Sequence, residues 1–66
     1  MEIILNGETK TLTAGMSVLQ LLQAQGLEGK RVAVELNEEI LPRSEHATRQ
    51  LCENDRVEIV HAVGGG

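Results

Sequence analysis

Only one segment of this sequence has the apolar spacing of a helix, and it is too short to cover both faces of a sheet. In residues 18–25, apolar side chains such as Val18 and Leu21 recur at helical intervals. Ser17 precedes this segment and Gln20 follows three residues later, which is the capping-box pattern of a helix start. The flanking segments are therefore expected to form a sheet with one face against this helix and the other face open.

Most of the remaining apolar residues alternate with polar ones, which is typical of strands with one buried face. Asn6-Gly7 is the dipeptide preferred in two-residue hairpin turns, so the first two strands are expected to pair. In the last strand, Val57 and Ile59 are expected to face the core. The predicted strands are residues 1–5, 9–13, 32–36 and 56–62, with a further short strand at Leu51.

This order of elements predicts an α+β fold of the β-grasp type, a mixed sheet wrapped on a single main helix. The first and last strands would lie adjacent and parallel in the middle of the sheet. The division predicted is a folded domain over residues 1–63 and a tail over residues 64–66. Because the tail would follow directly on a central strand, its first residue would be held in a fixed position by the sheet.

Composition narrows the possible functions. The 66 residues include no Phe, Tyr or Trp, and ten acidic against six basic residues give a net charge of −4. A small aliphatic core leaves little room for a large cofactor, and the charge argues against nucleic acid and acidic membranes as partners. One cysteine and no apparent secretory signal predict a cytoplasmic protein.

The tail, Gly64, Gly65 and Gly66, is the feature that most strongly suggests a function. Three consecutive glycines follow directly on a strand and make no turn there. Glycine tolerates almost any backbone geometry and presents no side chain. We therefore expect the tail to carry the carboxylate of Gly66 into a narrow pocket of another protein.

A docking surface for that protein is predicted on the open face of the sheet beside the tail. Val60 and Ala62 are apolar where an alternating strand would ordinarily be polar, and Ile4 on the neighbouring strand points the same way. Val63 is included because it leads into the tail, and Arg43 is expected to add a polar contact.

No catalytic or metal-binding group is predicted within the chain. His46 and His61 have no third ligand at a useful spacing, so structural or surface roles are favoured. Cys52 could be a sulfur relay, but a half-buried packing role beside Leu51 is favoured. The acidic residues Glu35, Glu38, Glu39 and Glu45 are expected to form a solvated surface that could steer a basic partner.

Several motifs together resemble the bacterial sulfur carrier proteins of thiamin biosynthesis, a ubiquitin-like β-grasp family, over essentially the whole chain. They include Asn6-Gly7 after the first strand and Asn54-Asp55 before the last. Residues 37–43 read N-E-E-I-L-P-R, and residues 57–66 read V-E-I-V-H-A-V-G-G-G. The chain departs from the resemblance at His46, where many relatives are expected to have an aromatic residue.

The resemblance implies a carrier that partner enzymes act upon, and not an enzyme. A ubiquitin-activating-like adenylyltransferase would use ATP and Mg²⁺ to convert the Gly66 carboxylate to an acyl-adenylate. A sulfur donor such as a cysteine desulfurase would supply the sulfur of a thiocarboxylate. A thiazole synthase would accept that sulfur, and the carrier itself would hold no cofactor.

Two alternatives remain open at this point. The chain could be the small subunit of molybdopterin synthase or another ubiquitin-like sulfur carrier, which uses the same terminal chemistry for a different acceptor. It could instead be a β-grasp interaction module that binds through its sheet and is never activated.

Overall fold

The computed structural model describes residues 1–61, which form a five-stranded mixed sheet with one helix against one face. The strand order is β2-β1-β5-β3-β4; β1 and β5 are parallel and the other pairs are antiparallel. The predicted β-grasp arrangement is confirmed, with the first and last strands side by side. The elements are β1 (Glu2–Leu5), β2 (Glu8–Thr11), α1 (Val18–Ala24), β3 (Val32–Leu36), β4 (Glu39–Leu41), a 3-10 turn (Arg43–Glu45) and β5 (Arg56–His61).

Two hairpins with two-residue turns form the two edges of the sheet. Asn6 and Gly7 join β1 to β2 with φ of 49° and 83°, as the dipeptide predicted. Asn37 and Glu38 join β3 to β4 in the same way, with φ of 53° and 71°. This second hairpin has no counterpart in the sequence prediction, because the glycine that usually follows asparagine in such a turn is replaced by Glu38.

The short strand predicted at Leu51 is wrong. Leu51 lies in a loop after an isolated bridge between Gln50 and Ser17, and its N–H donates to the carbonyl of Met16. Its side chain is nevertheless buried in the core. A single inward-facing leucine can therefore anchor a loop without a strand, and the short fourth strand is β4.

The core lies between the sheet and α1 and is entirely aliphatic. Alternating residues of β1, β5 and β3 supply one side, and three residues of α1 supply the other. Five side chains are less than 2% exposed. The buried apolar residues are Ile3, Leu5, Val18, Leu21, Leu22, Val34, Leu36, Leu51, Val57 and Ile59.

The start of α1 is stabilised by its own cap and by a loop from elsewhere in the chain. Ser17 Oγ accepts from the N–H of Gln20 at 3.1 Å, and Gln20 Oε1 accepts from the N–H of Ser17 at 2.8 Å. The N–H groups of Val18 and Leu19 donate to carbonyls of Arg49 and His46. The capping box is confirmed, and the helix ends one residue earlier than predicted.

Replacing Ser17 by alanine should lower the free energy of unfolding by about 1 kcal/mol, within a range of roughly 0.5–2 kcal/mol. The change removes the acceptor for the N–H of Gln20 at a buried position. Urea denaturation followed by circular dichroism would measure the loss. Thr13→Ala, at an exposed site in the preceding loop, is the control; an equal loss there would contradict the capping explanation.

Candidate functional site

The candidate site is the carboxyl end of β5, the central strand. β1 flanks β5 on one side and β3 flanks it on the other, and β3 pairs with it as far as His61. Residues 62–66 follow directly. The predicted site residues Ala62, Val63, Gly64, Gly65 and Gly66, and the predicted domain boundary after residue 63, lie outside the described residues.

Asn6 continues the hydrogen bonding to β5 beyond the point where the backbone pairing of β1 with β5 ends. The backbone pairs of β1 with β5 end at Leu5 and Val57, and the N–H of Asn6 donates to the carbonyl of Val57 at 2.9 Å. Beyond that point the side-chain Oδ1 of Asn6 accepts from the N–H of Ile59 at 2.8 Å. The turn asparagine therefore holds the last half of β5 in place through a side-chain contact.

Replacing Asn6 by alanine should cost about 1–3 kcal/mol, because it leaves the partly buried N–H of Ile59 without its acceptor. Alanine also tolerates the positive φ of 49° poorly. Asn6→Asp is the matched control, since aspartate keeps an acceptor oxygen and tolerates this φ. Amide hydrogen exchange at Ile59 should accelerate in the alanine variant, and equal protection in both would count against this role.

A buried carboxylate fixes the opposite end of β5. Asp55 is 7% exposed; its Oδ2 accepts from the N–H of Cys52 at 2.7 Å and its Oδ1 accepts from Nδ2 of Asn37 at 3.0 Å. Oδ1 of Asn37 accepts in turn from the N–H of Arg56 at 2.9 Å. The β3–β4 turn is therefore tied to the start of β5.

The half-buried position predicted for Cys52 is wrong, because its side chain is exposed. Cys52 opens the tight turn that leads to Asp55, and its backbone N–H is held by that carboxylate. The neighbouring Leu51 takes the inward position. The cysteine side chain is thereby directed away from the core.

The predicted docking residues that are described do not form one continuous patch. Ile4 and Val60 both lie on the open face, as predicted. However, Ile4 is in register with Arg56, four residues before Val60 on β5, a separation of roughly 13 Å along the strand. Arg43 lies on the other side of the sheet, in a groove beside Leu19 and Leu22 of α1.

Among residues 1–61, the apolar residues nearest the end of β5 on the open face are Val60 and its cross-strand neighbour Ala33. Val60 is 53% exposed. Glu35 and Glu58 face each other in the next row of the open face, and Ile40, 66% exposed, lies beside Glu35 on β4. Ile40 was missed because only the β3–β4 hairpin brings it onto this face.

The two histidines lie in different environments. His46 is buried, with Nε2 3.2 Å from the carbonyl oxygen of Leu41, so its role is structural. His61 is exposed at the end of β5. Within residues 1–61, no three His, Cys, Asp or Glu side chains are grouped so that they could bind a metal ion.

Over the same residues, no helix is long and apolar enough to cross a membrane.

The sequence model of the ThiS family matches residues 3–66. The chain belongs to this family. A crystal structure of a thiamine biosynthesis protein, ThiS, from Geobacter metallireducens superposes with a TM-score of 0.87 at 32% identity, and the match covers all of both chains. The ubiquitin-like β-grasp assignment is thereby confirmed.

Individual ThiS relatives differ in length. The sulfur carrier protein ThiS of Bacillus subtilis is 44% identical over 50 residues, which are 76% of each chain. A thiazole synthase of Paramagnetospirillum magneticum is 41% identical over all 66 residues. The present chain spans only 20% of that enzyme, so part of the thiazole synthase resembles this ThiS domain.

Proposed function

We propose that this chain is a sulfur carrier of thiamin biosynthesis whose reactive group is the carboxylate of Gly66. The observation that carries the proposal is the position of β5, a central strand that is paired on both sides and leads directly into residues 62–66. Membership of the ThiS family supports it. The proposal requires Gly66 to be the carboxyl terminus of the mature protein.

The chemistry begins with activation, because a carboxylate is an anion at neutral pH and a poor electrophile. The Gly66 carboxylate attacks the α-phosphate of ATP on an adenylyltransferase, forming an acyl-adenylate and releasing pyrophosphate. The persulfide of a donor such as a cysteine desulfurase then displaces AMP to give an acyl disulfide, and a thiol reduces that bond, ending as a disulfide itself and leaving a thiocarboxylate on Gly66. A thiazole synthase takes up this sulfur, and the carrier returns to the cycle.

The chain itself positions the Gly66 carboxylate and keeps it accessible to partner enzymes, and it has no catalytic role. The body of the domain holds the end of β5 rigidly, through its pairing with β3 and the bond from Ile59 to Asn6. The partner supplies the phosphate-binding donors and Mg²⁺. Fully extended, the three glycines span roughly 10 Å, which is enough to cross a narrow channel.

Docking of the adenylyltransferase is proposed on the open face near the end of β5. Val60 and Ala33 are the described apolar residues nearest the end of β5, and Ala62 and Val63, the next residues of the chain, are included in the proposed contact from the sequence alone. Ile4 is placed at the far margin of this contact, roughly 13 Å away along β5. The facing carboxylates of Glu35 and Glu58 favour a basic partner surface. The proposed setting for these encounters is the cytoplasm.

Intact mass spectrometry tests the proposal. After incubation with ATP, Mg²⁺, the adenylyltransferase and a sulfur source, the mass should rise by the difference between a sulfur and an oxygen atom. An unchanged mass would indicate an interaction module that is not activated. Supplying the thiocarboxylate form to a thiazole synthase and, separately, to the large subunit of a molybdopterin synthase would distinguish the two sulfur-carrier alternatives.

A further inference from the structure

A groove on the helix side of the molecule has no role in the chemistry proposed above. It lies between α1 and the segments that precede β3 and follow β4, and its volume is about 270 Å³. Leu22 is buried at its base, whereas Leu19, Leu27 and Val32 are only half-buried there. Three large aliphatic side chains therefore leave part of their surface uncovered in one concave region.

The rim of this groove carries positive charge. Lys30 and Arg43 are exposed and line it, and within residues 1–61 neither forms an ion pair. Glu28 also lines the groove, where its Oε2 accepts from Nε2 of Gln23 at 3.1 Å, and its negative charge offsets one of the two positive charges, so that the lining keeps an excess of one positive charge. In a chain of net charge −4, two lysine or arginine side chains beside an apolar groove select for an anionic partner.

The size and position of the groove limit what can occupy it. Pockets that enclose whole small molecules are usually about 300–1,000 Å³, so an open groove of 270 Å³ is better suited to one or two apolar side chains. Val32 is the register partner of His61, which places the groove at the end of the sheet where β5 leads to residue 62. It lies on the opposite face from Val60.

We propose that this groove binds an acidic segment of a partner protein, with one or two leucine-like side chains against Leu19, Leu27 and Val32 and carboxylates against Lys30 and Arg43. Because the groove and the open face lie on opposite sides of the sheet, the two surfaces can be occupied together. The inference does not depend on activation of Gly66, and peptide binding can be tested without the tail chemistry.

Titration of the isotopically labelled full chain with the peptide acetyl-Asp-Glu-Leu-Leu-Asp-Glu-amide, followed by amide chemical shifts, tests the proposal. We expect saturable shifts at groove residues such as Leu27, Lys30 and Ala47, and none at Ile4 or Val60. Replacing the two leucines of the peptide by serine, or its acidic residues by lysine, should abolish binding. Saturable shifts confined to the open face, or no shifts at all, would overturn the proposal.

Variants of the chain separate the charge and apolar contributions. Lys30→Glu and Arg43→Glu should each weaken peptide binding about fivefold or more. Lys10→Glu makes the same charge change on β2 at the far edge of the sheet and should leave the affinity within about twofold. Ala47→Phe should obstruct the groove and abolish binding. Equal losses for Lys10→Glu and Lys30→Glu would show that only net charge matters and would reject the site.

Discussion

Deletion of Gly66 should lower the rate of thiocarboxylate formation by about 100-fold or more, although the shortened chain still ends in a glycine carboxylate. Removing one residue shortens the reach of an extended tail by roughly 3.3–3.6 Å. In an active site, a misplacement of only about 1 Å can cost roughly 100-fold in rate. Single-turnover assays with the adenylyltransferase and a sulfur source, read by intact mass, would measure the change.

The same deletion should leave the free energy of unfolding within about 0.5 kcal/mol of the parent protein. The buried core is built from side chains between Ile3 and Ile59, and the deletion removes none of them. Lys10→Ala on β2 serves as the control for activity. A deletion variant that forms thiocarboxylate at the parent rate would refute the dependence on tail length.

The largest expected loss of stability follows replacement of Ile3 by alanine. Ile3 is 1% exposed on β1, and truncating a buried isoleucine costs about 2–5 kcal/mol. A domain of this length has a total stability of roughly 3–10 kcal/mol, so the variant should be strongly destabilised and partly unfolded at 37 °C. Urea denaturation of the two proteins would give the difference in free energy.

Ile40→Ala is the matched control for this prediction. Ile40 is also an isoleucine in a strand, but it is 66% exposed on the open face of β4. Its truncation should lower the free energy of unfolding by less than about 1 kcal/mol, because the strand propensities of different residues differ by at most about that amount. Similar losses at the two positions would contradict the assignment of the core to the helix side of the sheet.

Much of the candidate site could be predicted from alternation along single strands. Because side chains of a strand alternate between faces, Val57 and Ile59 were correctly assigned to the core and Val60 to the open face. The distance between Ile4 and Val60 could not be predicted in this way. It depends on the register between β1 and β5, which joins residues about 50 positions apart in the chain.

Short-range rules account for the features that the sequence determined by itself. The Asn6-Gly7 turn depends on the backbone preferences of two adjacent residues, and the cap of α1 depends on hydrogen bonds between Ser17 and Gln20, three positions apart. Each of these interactions is complete within a few residues. The local sequence was therefore sufficient to predict them, although contacts with Arg49, His46 and Ile59 add to their stability in the folded chain.

Only the tertiary structure decided where the other residues lie. The β3–β4 hairpin is held by pairing with a strand and by the contact of Asn37 with Asp55, so Glu38 is accepted in a turn that usually takes glycine. Leu51 is buried without a strand because it packs against the core. The groove beside Arg43 exists only where α1 meets the segment before β3 and the more distant segment after β4. Such contacts are set by packing between residues far apart in sequence, which no local pattern records.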